Sequence, residues 1–186
     1  MHPEHLALLQ QAPASAHVDD TWARLCCEQA LLALEDGCYA VGALLVDGAG
    51  ELLCSGRNQV FAAAYSSVAH AEMQVLDQLE SEQAHVDRRD LTLYVSLEPC
   101  LMCYGRILLA GITRVRYLAR DRDGGFALRH GRLSPAWANL ASGLSVVQAK
   151  ADPYWLNLAE QAVSRLQDRQ ALRQRVTQAW RGQQQT

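Results

Sequence analysis

Ser96-Leu97-Glu98-Pro99-Cys100-Leu101-Met102-Cys103, read together with His70-Ala71-Glu72 upstream, is the stretch around which the rest of the chain is organised. Two cysteines separated by two residues can present both sulfurs to one metal when the second sits a turn further along a helix, and a distant histidine completes a three-ligand set. Three protein ligands leave one tetrahedral position open, which marks a zinc that does chemistry rather than one that only holds a fold. On this reading His70, Cys100 and Cys103 are the ligands, and Glu72 reaches a metal-bound water without ligating the metal. A Cys-x-x-Cys pair alone also occurs in redox motifs and structural zinc knuckles. Here it is joined by a His-x-Glu at an expected helix start and by no second cysteine pair, so a four-cysteine structural site is excluded.

Working outward, Leu91-Thr92-Leu93-Tyr94-Val95 reads as a strand delivering the chain to Pro99 and Cys100, where a helix starts and runs to about Ala110 before Gly111. Ala71 to Leu79, apolar at Met73, Val75, Leu76 and Leu79, is the other helix of the site. Each ligand cysteine then lies near a helix N-terminus, whose dipole favours the thiolate that a metal requires. Glu98 reads as a strand-end group that orients the loop. Upstream, Thr21 to Leu34 has helical spacing with Asp19 and Asp20 at its positive end and Gly37 beyond its last turn. Val41 to Val46 and Glu51 to Ser55 form a hairpin around Asp47-Gly48-Ala49-Gly50, and Gly56 to Ser67 is a loop. Downstream come strands over Val115 to Ala119 and Leu144 to Ala149, with a short helix near Pro135 to Leu140. Asp152-Pro153 supplies an N-cap and first-turn proline for one long final helix with Leu156, Ala159, Val163 and Leu166 on its apolar face. The alternation predicts an α/β domain with helices on both faces of a mixed sheet of about five strands. The expected division is a leader at 1–18, a domain carrying the zinc site at 19–150, and a C-terminal helix with a polar tail at 151–186.

At 186 residues and 49% hydrophobic content, the chain can bury a single core. No apolar run approaches a membrane span, and the first twenty residues carry Glu4, Asp19 and Asp20 where a signal peptide needs a basic start. A soluble, cytoplasmic protein without membrane contact is expected. Cys26, Cys27, Cys38 and Cys54 sit among apolar residues and read as small buried side chains, not as a disulfide framework. The net charge of -3 conceals a polarity: residues 1–100 hold 15 acids and 4 bases, whereas 101–186 hold 5 and 13. That asymmetry either steers an anionic ligand or gives two solvated faces that attract each other.

His-x-Glu followed by Pro-Cys-x-x-Cys is the pattern of zinc-dependent base deaminases, in which the glutamate is a general acid/base. At these residues the chain resembles the cytidine/deoxycytidylate deaminase superfamily, in the branch of guanine deaminases, nucleoside deaminases and tRNA-specific adenosine deaminases. The resemblance spans roughly residues 20 to 150 and includes Gly37 to Val46, Asn58, His70 to Met73, Ser96 to Gly105 and Ala110 to Val115. It implies a three-layer α/β/α fold, a catalytic zinc, and a homodimer. It also implies that Asn58 binds the base or its sugar and that the backbone N–H of Ala71 meets a ring carbonyl or nitrogen. Ser66-Ser67-Val68-Ala69 departs from the Asp-Pro-Thr-Ala of the tRNA-editing members, and Arg106 replaces a small residue. Gly124-Gly125-Phe126 and Pro135-Ala136-Trp137 look more like the free-base branch, whose C-terminal segment closes over the pocket. The acidic residue of some guanine deaminases is missing between Ala127 and Leu133, which leaves Asp121 and Asp123 nearby, with Asp123 as the expected substrate contact.

The resulting expectation is hydrolytic deamination of a nucleobase or nucleoside, with a guanine-like purine favoured. A tRNA adenosine deaminase would instead use Arg114, Arg116, Arg120, Arg122, Arg129, Arg132 and the Arg-rich final helix on phosphates. A catalytically inactive partner subunit is a third reading, against which the intact Glu72 speaks. Trp137, Trp155 and Trp180 are candidates for base stacking or for packing.

Overall fold

The computed structural model describes residues 1–127 and 133–182. Arg129, Arg132 and the Gln-rich end of the tail lie outside them. Five strands form one mixed sheet: β1 (Gly42–Val46), β2 (Leu52–Arg57), β3 (Thr92–Leu97), β4 (Arg114–Ala119) and β5 (Ser145–Gln148), in the order β2-β1-β3-β4-β5. The β1–β2 and β1–β3 pairs are antiparallel, and β3–β4 and β4–β5 are parallel. The first pair closes through Asp47, whose Oδ1 accepts from the N–H groups of Ala49 and Glu51 at 2.9 and 2.8 Å. Parallel pairs need crossovers, and helices α4 (Leu101–Leu109) and α5 (Pro135–Ala141) supply them.

All five residues of β1 are buried, because helices cover both faces of the sheet there. The two-residue period sends Leu44, Val46 and Tyr94 to one side, against α2 (Asp20–Glu35) and α6 (Pro153–Gln161). Ala43, Leu45, Leu93 and Val95 go to the other side, against α3 (Ala71–Glu82) and α4. This is the three-layer arrangement. Helix α2 ends in a left-handed glycine: Gly37 has φ 68°, and the N–H groups of Gly37 and Cys38 donate to Leu34 O and Ala33 O at 3.0 and 2.9 Å. The four cysteines outside the motif are free and buried, as expected. Among the described residues no helix is long and apolar enough to cross a membrane.

Two regions depart from the sequence reading. The leader, to which the sequence assigns no element, contains α1 (Pro3–Gln10), with proline in its first turn and His5 and Leu9 buried. His5 Nδ1 sits 2.8 Å from Glu35 Oε1, and the Tyr154 hydroxyl donates to Leu8 O, which together tie α1 to the α2/α6 layer. The final helix is also not continuous. It breaks after α6 into a π turn at Ala162–Leu166 and resumes as α7 (Arg169–Trp180). Asp168 caps α7, accepting from Gln170 N and Ala171 N at 3.0 and 2.9 Å, and a cap forces non-helical backbone at Gln167–Asp168. Leu166, expected on the apolar face, is 41% exposed.

Asp19 and Asp20 do more than complement a helix dipole. Asp19 accepts from the Tyr94 hydroxyl at 2.7 Å and from Lys150 N at 2.6 Å. Asp20 accepts from Ala16 N, His17 N and Asp152 N at 2.8, 2.7 and 2.6 Å. Burial pushes the Asp20 carboxyl up, but these three donors outweigh it and hold the group below its usual range.

Candidate active site

His70 and Cys100 occupy matching positions: each is the N-cap of a helix, with extended backbone at φ -73°, ψ 157° and φ -72°, ψ 172°. A residue there stands at the mouth of the helix, beside N–H groups that have no acceptor within the helix. Cys103 follows Cys100 in the first turn of α4, and Glu72 follows His70 in the first turn of α3. Arg106 holds the two helices together. Its guanidinium donates to both oxygens of Glu80 at 2.6 and 2.7 Å and to Asp77 at 3.1 Å, so it bridges α4 to α3.

The converging termini bring His70 Nδ1 within 3.8 Å of Cys100 Sγ and 3.5 Å of Cys103 Sγ, and all three donor atoms lie within 4.8 Å of one another. Ordinary Zn–N and Zn–S bonds at tetrahedral angles put ligand atoms roughly 3.5 to 3.8 Å apart. The donor set therefore fits zinc in chemistry and in spacing, and these three residues could hold it. The Cys103 thiol, followed by burial and His70, acts on Cys100; the hydrogen bonds outweigh burial and pull the Cys100 thiol down to about 4. Its partner moves the opposite way: the hydrogen bond to Cys100 and burial push Cys103 up. Burial alone would lower His70, but Cys100 and the Glu72 charge raise it. Glu72 is 4% exposed, and burial, then Cys100, raises its carboxyl. Its carboxylate also lies within hydrogen-bonding reach of the Cys103 thiol.

These groups open on a cavity of about 340 Å³, in the range of small-molecule sites. Asn58 lines it with His70, Glu72 and Cys100. Asn58 is fixed by its own N–H, which donates to Val41 O at 2.9 Å, and by its Oδ1, which accepts from Val60 N at 3.1 Å. Ala71 is buried at the first position of α3 and does not itself line the cavity. Asp123 is not brought to the cavity either. It is exposed and paired with Arg169 at 3.5 Å, while the neighbouring Asp121 is the carboxylate that lines the wall.

Glu98 organises the loop beyond β4, as its position suggested. Its Oε1 accepts from Ala127 N at 3.0 Å and its Oε2 from Asp121 N at 3.3 Å. The loop returns to the motif, where Gly125 forms an isolated bridge with Cys100 and the N–H of Phe126 donates to Pro99 O at 3.0 Å. A Cβ at Gly125 would lie 2.5 Å from Glu98 Cδ and 2.5 Å from Asp121 O, a close approach that only glycine permits.

Several wall residues were not among the expected site residues. Tyr39, Tyr65 and Ser67 flank the Asn58 loop, and Val163, Gln167 and Val176 reach in from the C-terminal segment. That segment is latched across the opening. Arg175 donates to Gly37 O and to Phe61 O (3.4 Å) and stacks 4.1 Å above the Phe61 ring, and Trp180 Nε1 donates to the Tyr65 hydroxyl at 3.2 Å. Trp180 is otherwise exposed, Trp155 is buried in the core, and Trp137 stands partly exposed beside α4.

The profile of the cytidine and deoxycytidylate deaminase zinc-binding region matches residues 16–119, more than half of the chain. Among curated proteins, the chain is 35% identical over 107 residues to a tRNA-specific adenosine deaminase of Bacillus subtilis, covering 58% of this chain and 65% of that protein. The chain thus spans just under two thirds of that relative's length. Among solved structures it is similar to one from studies of A-to-I editing by tRNA:A34 deaminases, with TM-score 0.55 and 30% identity over 62% of this chain and 89% of the other. It is also similar to the guanine deaminase of Bacillus subtilis, with TM-score 0.51 and 29% identity over 55% and 65%.

Proposed function

Since the chain belongs to the cytidine and deoxycytidylate deaminase zinc-binding family, we propose that it hydrolyses the exocyclic amine of a small nucleobase or nucleoside, a guanine-like purine being favoured, to a carbonyl with release of ammonia. His70, Cys100 and Cys103 hold the zinc, which when bound is a Lewis acid that brings the pKa of water toward ~7. Glu72 is the proton carrier. Its carboxylate takes a proton from the attacking water, gives it to the ring nitrogen beside the attacked carbon, and delivers the second proton to the departing amine. Water and an amidine are thereby converted into an amide and ammonia, with Glu72 returned to its starting state. Asn58 holds the base through its side-chain amide, and the Ala71 N–H, which has no helical acceptor, is a second donor.

The observation that carries the small-substrate reading is the C-terminal roof: Val163, Gln167 and Val176 line the cavity, and the latch of Arg175 and Trp180 holds them there. A roofed cavity of about 340 Å³ suits a base or nucleoside, whereas an anticodon loop needs an open groove for its flanking nucleotides. The reading of tRNA as substrate is favoured by the similarity to a tRNA-specific adenosine deaminase and by half-exposed arginines of the second half, Arg120 paired with Glu98 and Arg169 with Asp123. The deciding experiment measures ammonia release from guanine, cytosine, adenosine, cytidine and an anticodon stem-loop. Turnover of guanine supports the proposal. Turnover of the stem-loop alone, with affinity falling steeply as salt rises, overturns it.

The same reading includes a homodimer. Leu101 and Leu109 are exposed and line one apolar surface depression with Met102 and Trp137 on α4 and α5, a surface of the kind that subunits cover. Sedimentation of the zinc-loaded protein tests it, a dimer being expected.

A further inference from the structure

Two carboxamides, Asn58 and Gln167, line the cavity, and only Asn58 has a role in the reaction described above. Asn58 N–H donates to Val41 O at 2.9 Å, and the adjacent Ala40 donates its N–H to Gln167 Oε1 at 3.0 Å. Both side-chain oxygens are therefore engaged by backbone donors, Val60 N in one case and Ala40 N in the other. That fixes which end of each amide is which, because a backbone N–H requires the oxygen. What each amide has left to offer is its NH2. Among the described residues neither NH2 has a partner, although both residues line the cavity. Both NH2 groups therefore face the cavity, where a ligand that carries acceptors can complete the pair.

The break in the C-terminal segment serves this placement. Gln167 has extended backbone, φ -91° and ψ 141°, between the π turn and the Asp168 cap. A continuous helix would hold that backbone in helical geometry, whereas the break turns it and lets the side chain reach Ala40.

We propose that Gln167 is a specificity-determining residue: its NH2 donates to a carbonyl oxygen or ring nitrogen of the substrate base, on an edge other than the one attacked, and selects against bases that present an amine there. This rests on the small-base reading above. For a purine attacked at its 2-amino carbon, guanine presents its 6-oxo oxygen as an acceptor, and 2,6-diaminopurine presents an amine in its place.

The test compares kcat/KM for guanine and 2,6-diaminopurine in the zinc-loaded parent and two variants. The parent should prefer guanine by about 30-fold or more, since a site built to bond one group rejects its opposite. Gln167→Glu keeps the oxygen that Ala40 N–H needs and replaces the donor by an acceptor. It should reduce the guanine/diaminopurine ratio at least about tenfold. Gln167→Met, neutral and of similar length, should bring the two purines within about threefold of each other. If both variants turn over guanine with the parental ratio, Gln167 is only an anchor for the segment and the proposal fails while the small-base reading stands. A parent inert on both purines overturns the guanine-like preference and the proposal with it.

Discussion

The ligand side of the cavity and its roof are built in different ways. On the ligand side, His70, Glu72, Cys100 and Cys103 all lie within one turn of two helix N-termini; α3 packs on the wholly buried strand β1, and α4 packs against α3. Position there follows from local backbone geometry. On the roof, Gln167 and Val176 belong to a segment held by a few side-chain bonds to distant loops, such as Arg175 to Phe61 O and Trp180 to Tyr65. The difference separates chemistry from selection. The groups that move protons are placed by backbone geometry at helix starts, and the residues that close the cavity from the C-terminal side are placed by side-chain contacts.

The largest effect should come from the ligand side. Cys100→Ala should reduce bound zinc from about one per chain to near none and deaminase activity by at least ~10³-fold, because the open-site metal needs all three ligands. Metal analysis with undiminished zinc would remove Cys100 from the set. Glu72→Ala should keep the zinc and the thermal midpoint yet lose at least ~10²-fold in turnover, since only proton transfer is removed. A variant nearly as fast as the parent would show that another group carries the proton. On the roof, Arg175→Ala removes the contacts to Gly37 and Phe61. It should raise KM by about tenfold with kcat within about threefold of the parent, the pattern of lost binding without lost transition-state interactions. A fall in kcat with KM unchanged would erase the division drawn here. The smallest effect is expected from salt: KM for the active base should change by less than about threefold between low and moderate ionic strength, because a neutral ligand releases no counterions. A steep slope would move the substrate class toward RNA.

The same division explains what could be read from the sequence. The apolar run of Val41 to Val46 and the strand residues Leu91 to Val95, with the helical period after His70 and Cys100, are local patterns, so the sheet and both ligand helices emerge from the residue pattern. Gln167, Tyr39 and Tyr65 gave no such signal, because each is a single residue whose role depends on a partner far along the chain. The break before α7 was hidden for a related reason. Val163 and Leu166 continue the apolar spacing of Leu156 and Ala159, while the cap at Asp168, which overrides that spacing, is one side chain with two bonds. Asp123 misled by proximity: Asp121, two residues earlier, accepts from Asp123 N and Gly124 N at 3.2 and 2.9 Å and takes the wall position, which leaves Asp123 outside.

Gly125 has a consequence for how much sequence change the site can absorb. Any other residue there would drive its Cβ into Glu98 and into the carbonyl of Asp121. The displaced carboxylate would drop the N–H groups of Asp121 and Ala127, and the strand-like bridge to Cys100 would open with them. In a saturation library this position should therefore behave like a ligand although it touches no metal, with alanine already depleted. The surrounding loop residues Arg122 and Asp123, both exposed, should accept nearly every substitution.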